Sequence, residues 1–223
     1  MLSGVEANSY ANEESPDVPT QNWVDLAGVR PGTHLEKQAV ALRQAAPSRT
    51  FLARLLRVHT EERAYRIGGK GERQVGSQLD KLGPRWHALH SIVISETGTD
   101  IDHLVVGPGG VFCINSKNHP GKKVWVGGDT VLVGGQRQPF VRTSRNEGKK
   151  VSRILENACG HPVLVSPVIV IANGELTVKE QPRDVRFCSR RRLPKWLRER
   201  PHVLSDGEAE KIFAVARRST TWI

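Results

Sequence analysis

"IDHLVVGPGGVFCINSKNHPG" (residues 101–121) holds two short apolar runs joined by Pro108-Gly109-Gly110. Runs of this length, rich in Val and Ile and linked by such a turn, predict a β-hairpin. Three polar residues interrupt the apolar pattern: Asp102, Asn115 and Lys117. A buried Asp or Lys is costly unless it is paired or binds something. Side chains alternate along a strand, so Asn115 and Lys117 share a face and Ser116 points away. On the first strand Asp102 projects on the side opposite Ile101 and His103, which makes His103 a core histidine. Hairpin pairing then brings Asp102, Asn115 and Lys117 to one rim of the sheet. A carboxylate and an amide oxygen suit a hard cation such as Mg²⁺. A neighbouring Lys can orient or help deprotonate a water, or neutralise a phosphate. The same residues would also fit a buried Asp–Lys ion pair or charges exposed at strand ends.

Around this hairpin the chain has α/β periodicity. Upstream, "GGKGERQVGSQLDKLG" (68–83) places Glu72, Val75, Leu79 and Leu82 on one helical face, with Glu72 in the inward stripe. "WHALHSIVIS" (86–95) predicts a strand. Downstream come a hairpin over 122–135 and a helix over 142–159. A buried strand follows over 162–172, with two short strands around 175–179 and 184–188 and a terminal helix over 205–219 capped by Ser205. The order is α-β-β-β-(hairpin)-α-β with a mixed sheet. Residues 1–32 are polar and are expected to be a disordered tail. Residues 33–67 are expected to form a helical segment, with helices over 33–46 and 49–67. The main domain is expected over 68–180, and a basic C-terminal extension over 181–223.

Charge narrows the partner. The chain has 33 Lys and Arg against 23 Asp and Glu, a formal +10. The first 49 residues carry a net −2 and the remaining 174 a net +12, so the basic character belongs to the folded part. Such a surplus suits nucleic acid more than a membrane surface. The three cysteines are far apart, with no CxxC or Cys/His cluster, which argues against a structural zinc. The N-terminus has no signal-peptide pattern and the longest near-apolar run, 163–172, is half a membrane span; a cytoplasmic chain is expected. No GxSxG or P-loop motif is present, which argues against a hydrolase triad or an ATPase.

"GERQVGSQL" (71–79) followed by "GTDIDHLVVGPGGVFCINSKNHPGKKVWVGG" (98–128) resembles the nuclease-related domain, NERD, a branch of the PD-(D/E)xK nuclease-like superfamily. The likeness covers roughly residues 68–172. It implies a restriction-endonuclease-like αβββαβ core and metal-dependent cleavage of phosphodiester bonds, with Mg²⁺ or Mn²⁺ as cofactor. Carried over by position, Glu72 would be the helix carboxylate, Asp102 the central metal ligand, Asn115 the (D/E) position and Lys117 the lysine. Asn115 departs from the superfamily pattern, because an amide removes one negative charge from the cation's shell. Some members place a ligand carboxylate on the second core helix, which gives Glu147 that role here. A Glu near a helix start also complements the helix dipole without any metal.

Two basic sets offer phosphate contacts. Arg142, Arg145, Lys149 and Arg153 share one face of the helix that carries Glu147. "RFCSRRRLPKWLRERP" (186–201) contributes Arg190, Arg191, Arg192 and Lys195, with Trp196 either stacking on an unpaired base or anchoring the turn to the core. His119, just beyond Lys117, is placed to meet a phosphate. Three functions fit these features: a Mg²⁺-dependent nuclease acting on DNA, a nucleic-acid-binding domain that has lost cleavage, and a protein-interaction module.

Overall fold

The computed structural model describes residues 22–33, 66–95 and 99–222. Helical residues 66–79 (α1) precede β1 (His87–Val93), β2 (Asp100–Gly107) and β3 (Gly110–Gly127). Then come β4 (Thr130–Val133), β5 (Gln136–Gln138), α2 (Phe140–Cys159), β6 (Val165–Glu180) and β7 (Arg186–Ser189). Two helices, α3 (Leu193–Arg198) and α4 (Asp206–Ala216), follow, and a single 3-10 turn (Ser219–Thr221) ends the described fold. This is the αβββαβ order with a mixed sheet, a restriction-endonuclease-like α/β core. Residues 1–21, the helix expected over 33–46 beyond Thr33, and the helix expected over 49–67 up to residue 65 lie outside the described residues.

One seven-stranded sheet organises everything. β1 and β2 are antiparallel, as are β2 and β3; β6 runs parallel to β3 along nearly its whole length, and β7 parallel to β6. Because β6 holds one edge of β3, the other edge is shared. β2 pairs with it from Gly110 to Ile114, and β4 from Val124 to Gly127. Between these partners, residues 115–123 of β3 have no paired strand on that edge among the described residues. The site residues gather at this gap.

Helices cover both faces. Val151 and Leu155 of α2 and Ala209 and Ile212 of α4 pack with Leu104 and Val106 on one side. Val75 and Leu79 of α1 and Leu193, Trp196 and Leu197 of α3 pack with Val105, Ile114 and Val170 on the other. The Glu72-Val75-Leu79-Leu82 stripe is buried as the spacing predicts. Ser205 caps α4 through a capping box with Glu208. Gly160, at φ 74°, closes α2 in the left-handed region where a side chain would be strained.

Three expectations are corrected. The strands expected around 162–172 and 175–179 are a single strand, β6, since β3 offers it a parallel partner as far as Gly127. Residues 181–223 are no appendage, because β7 extends the sheet and Leu193, Trp196 and Leu197 belong to the core. The described part of the polar tail is seated on the fold. Asp25 bridges to Arg218 and pairs with Arg217, while the Gly32 amide donates to Ser91 Oγ at 3.0 Å.

Candidate active site

The backbone opens around Asp102. Ser91 stands opposite it on β1, and neither residue is in the ladder, which pairs His90 with His103 and then Ile92 with Ile101. Ser91 has φ 51°, the left-handed region, uncommon for a residue with a side chain. The irregularity breaks the alternation expected for β2. Ile101 packs on the α2–α4 side, whereas His103 meets Ser116 on the other. Ile101 and His103 therefore do not share a face. On the β3 side the ladder ends at His103–Ile114, and the Ser116 amide donates to Asp102 Oδ2 at 2.5 Å. A side-chain oxygen thus replaces the next strand partner and fixes the carboxylate at the fork between β2 and β3.

Asn115 and Lys117 follow on the face covered by α2. Asn115 is 7% exposed, and its Nδ2 donates to Glu147 Oε2 at 3.0 Å. Its Oδ1 is buried without a hydrogen-bond partner. Lys117 Nζ lies 5.3 Å from the centre of the Phe140 ring, which opens α2 and also stacks on His119 at 5.8 Å. A cation over an aromatic face is held without a counter-ion.

Glu72 arrives from α1, docked by a chain of amides. Asn173 Nδ2 donates to Gln74 Oε1 at 2.6 Å and to Asn118 Oδ1 at 2.8 Å, while Asn118 Nδ2 donates to the Ile67 carbonyl at 2.5 Å. The two glycines of GERQVG allow this approach: a Cβ on Gly71 would meet Asn118 at 2.7 Å, and one on Gly76 would meet Pro31 at 2.4 Å. Glu72 itself is 3% exposed, with Oε2 buried and unpartnered.

Three carboxylates therefore sit in the field of Lys117. Burial, then Asp102 and Asp100, push Glu72 up to about 8. Burial pushes Asp102 up to about 7, while Lys117 and the Ser116 amide pull it down. Burial also raises Glu147, against the hydrogen bond from Asn115 and the charge of Lys117. Buried like charges of this kind hold protons or attract a cation. Asp100 raises all three, a fourth acid near the site that the sequence reading did not name. The signal was present, because Asp100 and Asp102 are two residues apart on a strand.

The donors fit an oxygen-seeking divalent cation, since two of their buried oxygens lack partners and their charges repel. Still, no three His, Cys, Asp or Glu side chains among the described residues form a ready metal cluster. The amide at 115 leaves that position without a further negative charge.

The basic residues divide. Arg142 and Lys150 line a cleft of about 440 Å³ together with Glu147. Lys149, Arg153 and Arg191 are exposed. Arg145 is committed elsewhere, donating to Asp184 at 2.6 Å and to Asp129 at 3.1 Å, so it is not a free phosphate contact. Arg192 and Lys195 pair with Glu199, and Arg190 is half-buried. Trp196 is 6% exposed and packs edge-on against Phe112, so it anchors the core and offers no stacking platform. His103 is fully buried, linked to His90 at 2.8 Å and to Ser116 Oγ at 3.1 Å. A larger cavity of about 640 Å³ lies elsewhere, lined by Val111, Cys159, Leu164 and Ile212, with none of these acidic groups in its walls. No helix among the described residues is long and apolar enough to cross a membrane.

An uncharacterized protein of Bacillus anthracis is 38% identical over 65 residues, covering 27% of this chain and 29% of the relative. The match thus spans under a third of that protein's length. No solved structure matches significantly. The family described as "Nuclease-related domain" matches residues 67–172. That stretch carries Glu72, Asp100, Asp102, Asn115, Lys117 and Glu147, so the candidate site lies wholly within the residues that are similar to the nuclease-related domain family.

Proposed function

We propose that the chain binds nucleic acid, DNA before RNA, and hydrolyses phosphodiester bonds with the help of Mg²⁺ or Mn²⁺. One observation carries this reading: Glu72, Asp102 and Glu147 gather around Lys117, with Asn115 Oδ1 and Glu72 Oε2 buried and unpartnered. Burial and mutual repulsion keep protons on these acids, and a cation relieves both costs. Asp102 and Asn115 would hold the metal, with Glu72 and Glu147 supplying charge. Glu147, tethered to the Asn115 amide, restores the negative charge that the amide lacks. A bound divalent cation supplies Lewis-acid stabilisation of the phosphoryl oxygens. Lys117, steadied over Phe140, orients the attacking water and neutralises developing charge. Arg142 and Lys150 at the cleft mouth, with His119 nearby, meet the phosphates.

A second reading, nucleic-acid binding without cleavage, is favoured by the amide at 115 and because, among the described residues, no three His, Cys, Asp or Glu side chains are already arranged to hold a metal. Plasmid and single-stranded DNA incubated with Mg²⁺ or Mn²⁺, with and without EDTA, separate the two. Cutting that stops in EDTA and in Lys117→Ala is the expected result. Salt-sensitive binding without cutting selects the second reading, and cutting that persists in Lys117→Ala overturns the site. No salt-sensitive binding at all would point to the protein-interaction module.

A further inference from the structure

We propose that a second pocket, separate from the carboxylate site, binds a single phosphate group through Arg183, Arg186 and Arg200. The pocket holds about 440 Å³ between the loop before β7, α3 and the β2–β3 turn. Arg186 lies level with Ile114 but two strands away, on the sheet face covered by α3 rather than α2. The inference needs no metal and stands apart from the nuclease reading.

Charge, an unmet donor and rigidity point to an anion. Asp184 is the one carboxylate in the lining, and Arg145 already binds it through Nε and Nη2, each at 2.6 Å. Glu199, the nearest acid along α3, is taken by Arg192 and Lys195. Arg183, Arg186 and Arg200 therefore face the pocket without a carboxylate partner among the described residues. Arg186 Nε is buried with no hydrogen-bond acceptor, a rare condition for a guanidinium. The Trp196 ring fixes two of the three groups, with Arg186 Cζ 5.7 Å and Arg200 Cζ 4.8 Å from its centre. The walls are tied down too. Gln181 exchanges two hydrogen bonds with the Phe187 backbone, at 2.9 and 3.0 Å. The Val203 and Leu204 amides both donate to the Pro108 carbonyl, at 2.8 and 3.2 Å. Pre-set guanidinium forks match the oxygens of a phosphate and lose little freedom on binding it.

That phosphate has two possible sources: a strand of nucleic acid, or a free phosphate or phosphorylated small molecule. Calorimetric titration of the full chain in EDTA with inorganic phosphate tests the site. Arg183→Gln and Arg186→Gln are compared with the unaltered chain, and circular dichroism checks their folding. Arg183 is exposed, so its variant keeps the test informative even if Arg186→Gln fails to fold. One-to-one binding that weakens about tenfold or more in each folded variant is expected. No phosphate binding by the unaltered chain, or equal binding by the folded variants, would overturn the site. Titration with a short oligonucleotide then assigns the source. If Arg183→Gln lowers its affinity and reduces the salt slope by about 1, a strand phosphate fills the pocket. An unchanged oligonucleotide affinity beside a lost phosphate affinity assigns it to a free phosphorylated ligand.

Discussion

Asn115 donates its amide proton to Glu147 Oε2 across 3.0 Å, joining the central strand β3 to helix α2. A carboxylate at position 115 would face Glu147 at the same separation with no proton between them. It would then need a proton or a cation to be tolerated. The amide therefore makes the metal-free site stable, and in exchange it lowers the charge available to a metal.

Asn115→Asp separates these two effects. In EDTA its melting temperature falls, by the equivalent of about 1–3 kcal/mol for one lost, partly buried hydrogen bond to a carboxylate. In Mg²⁺ it recovers and exceeds the gain of the unaltered chain, because an added charged ligand tightens binding by about tenfold. Thermal melts with and without metal read both changes. A variant equally stable in EDTA and in Mg²⁺ would contradict the assignment.

The raised acids make stability fall with pH when metal is absent. Glu72 and Asp102 titrate near 8 and 7 when folded, against about 4.3 and 3.9 in an unfolded chain. The folded chain therefore binds more protons across this window. Their contribution is full below about pH 4 and is lost as pH rises through the folded values. His90 and His103, lowered by burial, act oppositely: their contribution is present above about pH 6.5 and is lost as pH falls. Between pH 7 and 8.5 the acids dominate. Melting temperature should decline there, Mg²⁺ should flatten the decline, and Glu72→Gln should reduce it. A decline unaffected by Mg²⁺ would count against a cation site at these acids.

Much of this site was legible in the sequence because two periodicities decide it. The 3.6-residue stripe put Glu72 inward, and the two-residue alternation put Asn115 and Lys117 on one face. The break at Asp102 was not legible. It depends on a left-handed backbone at Ser91, and nothing marks a serine for that conformation. Trp196 was ambiguous for another reason. A dense basic run reports charge, but which way its one indole faces depends on Phe112, 84 residues earlier. The length of β6 was likewise set by its partner, β3, rather than by its own residues.

Arginines that look alike in sequence should behave differently. Arg145→Ala removes a clamp on two exposed aspartates, costs about 0.5–1 kcal/mol of stability, and leaves the salt dependence of DNA binding unchanged. Arg142→Ala, at the cleft beside Glu147, leaves stability within about 0.5 kcal/mol and reduces the salt slope by about 1. Chemical denaturation and fluorescence anisotropy measure the pair. The reverse pattern would misplace the nucleic-acid path.

Trp196→Ala should act on folding. A buried indole replaced by Ala costs about 3–5 kcal/mol, and any loss of DNA affinity should track the unfolded fraction. DNA binding lost by a fully folded variant that still binds inorganic phosphate as the unaltered chain does, with folding checked by circular dichroism, would restore the stacking role.

The most direct measurement is anomalous scattering from a crystal of this chain soaked in Mn²⁺. A peak between Asp102 and Asn115, about 2.1 Å from their oxygens, is the expected result, with Lys117 outside the shell. Full occupancy elsewhere with none at this fork, or Lys117 Nζ filling the space as an ion-pair partner of Asp102, would contradict it.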